Sequence, residues 1–127
     1  MKYKVNYQRL MPKPKKVKID IPLEREEDRT FADWLDIMGL KFSHISNEAN
    51  SMQAVMRNKR IGVRAGVPDF LVITSKGLLF IEMKRLKGGS VSEAQSGWIT
   101  ALNECKGVQA TIAKGADEAI QFVTKYL

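Results

Sequence analysis

The sequence predicts a mixed α/β domain, and three observations predict it. Residues 69–74 and 78–84 are rich in β-branched and aromatic side chains, and a short Ser-Lys-Gly break between them makes a hairpin. Segments of helical period lie on both sides of the hairpin, at 23–38 and 90–104. A further strand and a last helix follow, so strands and helices alternate along the chain without any internal repeat. A length of 127 residues suits one domain.

Each element has its own signal. Residues 1–20 form a basic arm in which Pro12 and Pro14 keep the chain extended. The domain proper is expected over 21–127. Pro22 precedes a helix over 23–38, whose stripe is Phe31, Trp34, Leu35 and Met38 and whose C-terminal cap is Gly39. Residues 41–46 read as a short strand, and 51–59 as a helix with Met52, Val55 and Met56 on its inner face. Gly62 and Gly66 bracket a loop that delivers Pro68 to the hairpin. After a loop at 87–90, Ser90 and Glu93 match a capping box that opens a helix reaching about residue 104. Cys105 is expected as a small buried apolar residue on that helix, beside Trp98 and Leu102. Gly107 ends the helix, 108–113 is a strand, and 117–126 closes the chain as a helix.

Composition narrows the class. Apolar residues make up 44% of the chain, enough for a core, and the longest apolar runs are far too short to span a bilayer. No apolar h-region follows the basic N-terminus, so no secretory signal is expected. One cysteine excludes an intrachain disulfide framework and a multi-cysteine zinc site. These features predict a soluble intracellular protein without a membrane partner. Of the net charge of +7, the first 20 residues supply seven cations against one acid, which leaves the remaining 107 residues at +1. A basic arm on a nearly neutral body suits a polyanion, while a solvated tail is the plainer reading.

The hairpin carries the chemistry. Glu82 and Lys84 are two apart on a strand and so share a face. A two-residue turn at Ser75–Lys76 sets Asp69 opposite Glu82, and a turn at Lys76–Gly77 sets it opposite Lys84. Both registers bring Asp69 to the same face, and a one-residue slip would remove it. Two carboxylates and an ammonium among Phe70, Val72, Ile73, Phe80 and Ile81 are costly unless paired or bound to a metal. Such oxygen donors suit Mg²⁺, which takes one or two protein carboxylates and keeps waters. A salt bridge at a strand end is the bland alternative. Gln95 falls in the first turn of the following helix, where it can face the hairpin and hydrogen-bond a phosphate or metal-bound water, or serve only as a cap, with Trp98 one turn later. In the first helix Glu24, Glu27 and Asp28 continue the buried stripe by helical period, although dipole compensation would also place acids there.

With these residues assembled, the chain resembles the VRR-NUC family of the PD-(D/E)XK nuclease superfamily. The match is carried by Gly66-Val67-Pro68-Asp69, Phe80-Ile81-Glu82-Met83-Lys84 and Ser92-Glu93-Ala94-Gln95-Ser96-Gly97-Trp98. Upstream, His44-Ile45-Ser46-Asn47-Glu48 and Gly62-Val63-Arg64-Ala65 fit the same pattern. The resemblance implies a restriction endonuclease-like fold, a mixed β-sheet flanked by helices with an α-β-β-β-α-β core. It implies Mg²⁺ or Mn²⁺ held by Asp69, Glu82 and the Met83 carbonyl, with Lys84, Gln95 and a first-helix acid completing the catalytic set. Glu24 fits that acid by its distance to Trp34 and Leu35, while Glu26 and Glu27 are rivals and Asp28 stands where the family commonly has glutamine. Ala49 and Asn50 replace the family's usual glycine. Stand-alone members of this length resemble phage or bacterial proteins and tend to be homodimers, which implies the cytoplasm, of a bacterial host if phage-encoded.

The expected function is metal-dependent hydrolysis of phosphodiester bonds in branched, Holliday-junction-like DNA. A catalytically silent nucleic-acid-binding module on the same fold is the alternative. A basic RNA-binding or assembly protein is the third reading, against which the chain shows no aromatic-basic stacking platform. Phosphate contacts are expected from Arg57, Lys59, Arg60 and Arg64 and from Lys13, Lys15 and Lys16 of the arm. His44 is expected as a hydrogen-bonded core residue rather than a catalyst.

Overall fold

The computed structural model describes residues 24–45 and 49–127, with Glu24 by its backbone alone. The basic arm, including Lys13, Lys15 and Lys16, lies outside these residues, as do Asn47 and Glu48. The elements are α1 (Glu24–Ile37), β1 (Lys41–His44), α2 (Met52–Arg60), β2 (Phe70–Thr74), β3 (Gly77–Lys84), α3 (Glu93–Asn103), β4 (Val108–Lys114) and α4 (Gly115–Thr124). The strands form one mixed sheet in the order β1-β2-β3-β4, antiparallel except for the parallel β3–β4 pair. Among the described residues no helix is long and apolar enough to cross a membrane.

Alternation along β3 divides the sheet into two faces. Leu79, Ile81 and Met83 point to one face, where they join Phe70 and Val72 of β2, Phe31 and Leu35 of α1, and Ala116, Ala119 and Val123 of α4 in a buried core. Phe31 stands edge-on to Phe70 with ring centroids 5.0 Å apart, which ties α1 to the sheet. Truncating a fully buried ring of this kind typically costs about 3–5 kcal/mol, so Phe31→Ala threatens the fold. Phe80, Glu82 and Lys84 point to the opposite face, where α3 packs along β4.

The helix ends show why the elements start and stop where they do. Gly39, at φ 68°, ends α1: its N–H donates to the Asp36 carbonyl and that of Leu40 to the Leu35 carbonyl, a Schellman cap. Met38 lies beyond the helix and is nearly half exposed, so it is not part of the buried stripe. The capping box of α3 is Ser92 with Gln95 rather than Ser90 with Glu93. Lys114, the N-cap of α4, offers no side-chain cap. Glu27 of α1 supplies one instead, accepting the Ala116 N–H at 2.6 Å. Asn103, at the end of α3, accepts the Ala110 N–H and donates to the Ala110 carbonyl, so its amide acts as one more rung beside β4.

Two expectations are corrected. Met52, Val55 and Met56 do not form an inner face: they are 74%, 48% and 63% exposed, and no residue of α2 is buried. A helical period identifies an apolar face but not what covers it, and α2 lies on an excursion between β1 and β2 rather than on the sheet. Cys105 is exposed just past the end of α3, with its thiol near the Ala101 carbonyl.

Candidate active site

The hairpin register decides the geometry of the site. Phe70 pairs with Ile81 and Thr74 with Gly77, so Ser75 and Lys76 form the two-residue turn. Continuing that register past the end of β2 sets Asp69 opposite Glu82, on the face that also carries Lys84.

The same register sets Pro68 opposite Met83. The Met83 N–H points to the β2 side and donates to Asp69 Oδ2 at 2.8 Å. In a strand the N–H and C=O of one residue point the same way, so the Met83 carbonyl also faces this edge. Pro68 has no N–H with which to meet it. The Pro-Asp step therefore ends the ladder, ties a carboxylate to the β3 backbone, and leaves a strand carbonyl without a ladder donor beside that carboxylate.

Asp69 is half-buried and Glu82 is 4% exposed. Burial pushes the Asp69 carboxyl above the usual aspartate range, ahead of the lowering influences of the Met83 N–H, His44, Lys84 and Glu82. Glu82 Oε1 accepts a hydrogen bond from Gln95 Nε2 at 2.9 Å and lies 3.9 Å from Lys84 Nζ. Gln95 does two jobs: its Oε1 accepts the Ser92 N–H at 3.0 Å while its Nε2 holds Glu82. The cap thus fixes which end of the amide faces the carboxylate, so Gln95 fills the capping role and also reaches Glu82.

The loop before Asp69 is fastened to the same helix. Trp98 Nε1 donates to the Ala65 carbonyl at 3.1 Å. Gly66, at φ 88°, packs so closely on α3 that a Cβ there would stand 2.6 Å from the Ala94 carbonyl carbon. Any larger residue would push the loop, and Asp69 with it, away from Glu82.

Four of the five predicted catalytic residues, Asp69, Glu82, Lys84 and Gln95, therefore meet at one end of the sheet, with Met83 between two of them. The side chain of Glu24 lies outside the described residues. Of its rivals, Glu27 is committed to the N-terminus of α4 and Asp28 Oδ2 lies 3.6 Å from His44 Nε2. His44 is not a core residue. It is exposed at the end of β1, edge-on to Phe70, and close enough to Asp69 to act on its charge. The signal that could have placed it is its register position opposite Phe70, the neighbour of Asp69. Arg57, Lys59 and Arg60 project from the exposed last turn of α2, and Arg64 donates to the Lys59 and Val63 carbonyls beyond that helix.

Among the described residues no three His, Cys, Asp or Glu side chains converge on a point that could hold a metal. Two carboxylates and a backbone carbonyl, the set found here, meet what Mg²⁺ asks of a protein, because that ion usually keeps several of its waters.

A mixed sheet with helices on both faces, its Pro-Asp and Glu-x-Lys strands joined at one end, defines the restriction endonuclease-like class. The comparisons agree. The VRR-NUC domain model matches residues 16–117. A solved structure described as a "VRR_NUC domain protein" is 26% identical, with a TM-score of 0.68 over 82% of this chain and 87% of that one. Another, a "VRR_NUC domain", shares the fold at 17% identity and a TM-score of 0.58, over 82% of this chain and 97% of that one. No curated protein matches the chain. The chain belongs to the VRR-NUC domain family, a family of nucleases.

Proposed function

We propose that the protein is an endonuclease that hydrolyses phosphodiester bonds in branched, junction-like DNA, with Mg²⁺ or Mn²⁺ as cofactor. One observation carries this reading: Asp69, Glu82, Lys84 and Gln95 converge where Pro68 ends the ladder against Met83. Asp69, Glu82 and the Met83 carbonyl would hold the cation. A divalent cation bound there supplies Lewis acidity toward a phosphate oxygen and makes a water more acidic near neutral pH. Burial of Asp69 favours this use, since a cation relieves the same charge that a proton otherwise relieves.

The protein's own groups supply the rest. Gln95 keeps Glu82 in one orientation, so the carboxylate loses little freedom when a cation arrives. Lys84 places an ammonium beside the reacting phosphate, where it orients the attacking water or offsets charge that develops in the transition state. Glu24 is the first-helix acid expected near this site. In solution the protein is proposed to be a homodimer, whose two-fold symmetry would present two cutting centres to a four-way junction.

The test is cleavage of a panel of four-way junction, flap and linear DNAs, with Mg²⁺ and with chelator. Metal-dependent cutting of the branched members is expected. Binding of all of them with cutting of none would identify a catalytically silent module instead.

A further inference from the structure

We infer that α2 and the loop after it form a docking face for nucleic acid with unstacked bases, where apolar side chains meet base faces and flanking arginines meet phosphates. This inference rests on the nucleic-acid reading proposed above and extends it to a surface outside the active site. Residues 51–68 contain Arg57, Lys59, Arg60 and Arg64 and no acid. The same stretch exposes Met52, Val55, Met56 and Ile61, with Met56 at 63% and Ile61 at 72%. No other helix or strand packs closely on α2 among the described residues. Gln53, Met56, Arg57 and Arg60 fall at i, i+3, i+4 and i+7, and with Ile61 they line one shallow concavity.

Charge decides what covers this face. A second copy in isologous contact would set these cations against themselves, which is unfavourable without interleaved acids. A polyanion matches the cations, but an intact duplex shows mainly phosphates and groove edges and gives Met56 and Ile61 little to bury. Bases released from stacking at a branch or a single-stranded end offer apolar faces beside phosphates, which fits the mixed chemistry of the concavity. The face lies one loop from Asp69, and that loop is fastened to α3 by Trp98. A branch point held there would be delivered toward the active site.

Fluorescence anisotropy tests this with the full-length protein in chelator, where binding is read without cleavage. The probes are a labelled blunt duplex and the same duplex with a single-stranded tail. Met56→Gln with Ile61→Gln should weaken binding to the tailed duplex by roughly 10-fold, as when an unstacked base loses its apolar contacts, and leave the blunt duplex within about 2-fold. Arg57→Gln with Arg60→Gln should weaken both probes and lower the salt slope by about two units. Unchanged binding of the tailed probe by the apolar variant, or equal loss on both probes, would overturn the inference. So would conversion of a wild-type dimer to a monomer by the same substitutions, or loss of binding to phosphatidylserine vesicles with DNA discrimination intact. Because no step requires cutting, failure of the nuclease reading would show only in the Mg²⁺ assay, and failure of this one only here.

Discussion

At Asp69, a half-buried carboxylate, stability and the proposed metal site are linked. Its folded-state pKa is raised by burial, so the folded protein holds this proton more tightly than the unfolded chain, whose carboxyl titrates near ~3.9. The stability it contributes is full below about pH 3.9 and is lost as pH rises through the higher folded value. Asp69→Asn should therefore leave the metal-free melting temperature at neutral pH equal to or above that of the wild type, since the amide oxygen can still accept the Met83 N–H. The same substitution should abolish the rise in melting temperature that Mg²⁺ gives the wild type by mass action. Calorimetry with and without Mg²⁺ checks both. A clear loss of metal-free stability would mark Asp69 as a structural ion-pair partner instead. Gln95 offers a second test at this scale. Gln95→Glu preserves an acceptor for the Ser92 N–H, since glutamate also serves a capping box, but it sets a carboxylate against Glu82. The helical signal should survive while cleavage falls by at least ~10-fold, about 1.4 kcal/mol of transition-state stabilisation. Wild-type turnover with this substitution would remove Gln95 from the site.

Among the elements, α1 commits one of its acids to the fold. Glu27 reaches across to the N-terminus of α4, where its charge complements the helix dipole and satisfies the Ala116 N–H. Glu27→Ala should cost about 1–2 kcal/mol in urea denaturation, as removal of other caps does, with cleavage per folded molecule unchanged. Glu24→Gln should instead slow cleavage by at least ~10-fold with little effect on denaturation. The opposite pattern would show that the first-helix acid was misassigned. Helical period placed both residues on the inner side of α1 but carried no information about α4, which lies far along the chain, so Glu27's partner was not legible. The hairpin was legible because period-2 alternation and an even turn constrain its register, which delivered Asp69, Glu82 and Lys84 to one face. The α3 cap was half legible. Ser90 with Glu93 and Ser92 with Gln95 both fit the capping pattern, and the structure uses the pair whose glutamine also reaches Glu82. The outer face of α2 was misread because apolar spacing alone does not say whether protein or ligand covers it.

At the scale of the whole molecule, charge and chemistry occupy different parts of the chain. Seven cations lie in the first 18 residues, while the proposed cutting residues of the hairpin and α3 lie between Asp69 and Gln95. Deleting residues 1–18 should weaken DNA binding and flatten its salt dependence by roughly one unit for each phosphate no longer neutralised, without unfolding the domain. An unchanged slope would mean that the arm is only a solvated tail. The central claim, that the end of the hairpin is a metal-dependent cutting centre, stands apart from the arm. Its most direct test is Mg²⁺-dependent cleavage of junction DNA by wild type, Glu82→Ala and Lys84→Ala purified side by side, with binding measured in parallel. Cleavage by the wild type alone, with all three binding DNA comparably, is the expected result. Cutting by either variant at near the wild-type rate would contradict the assignment.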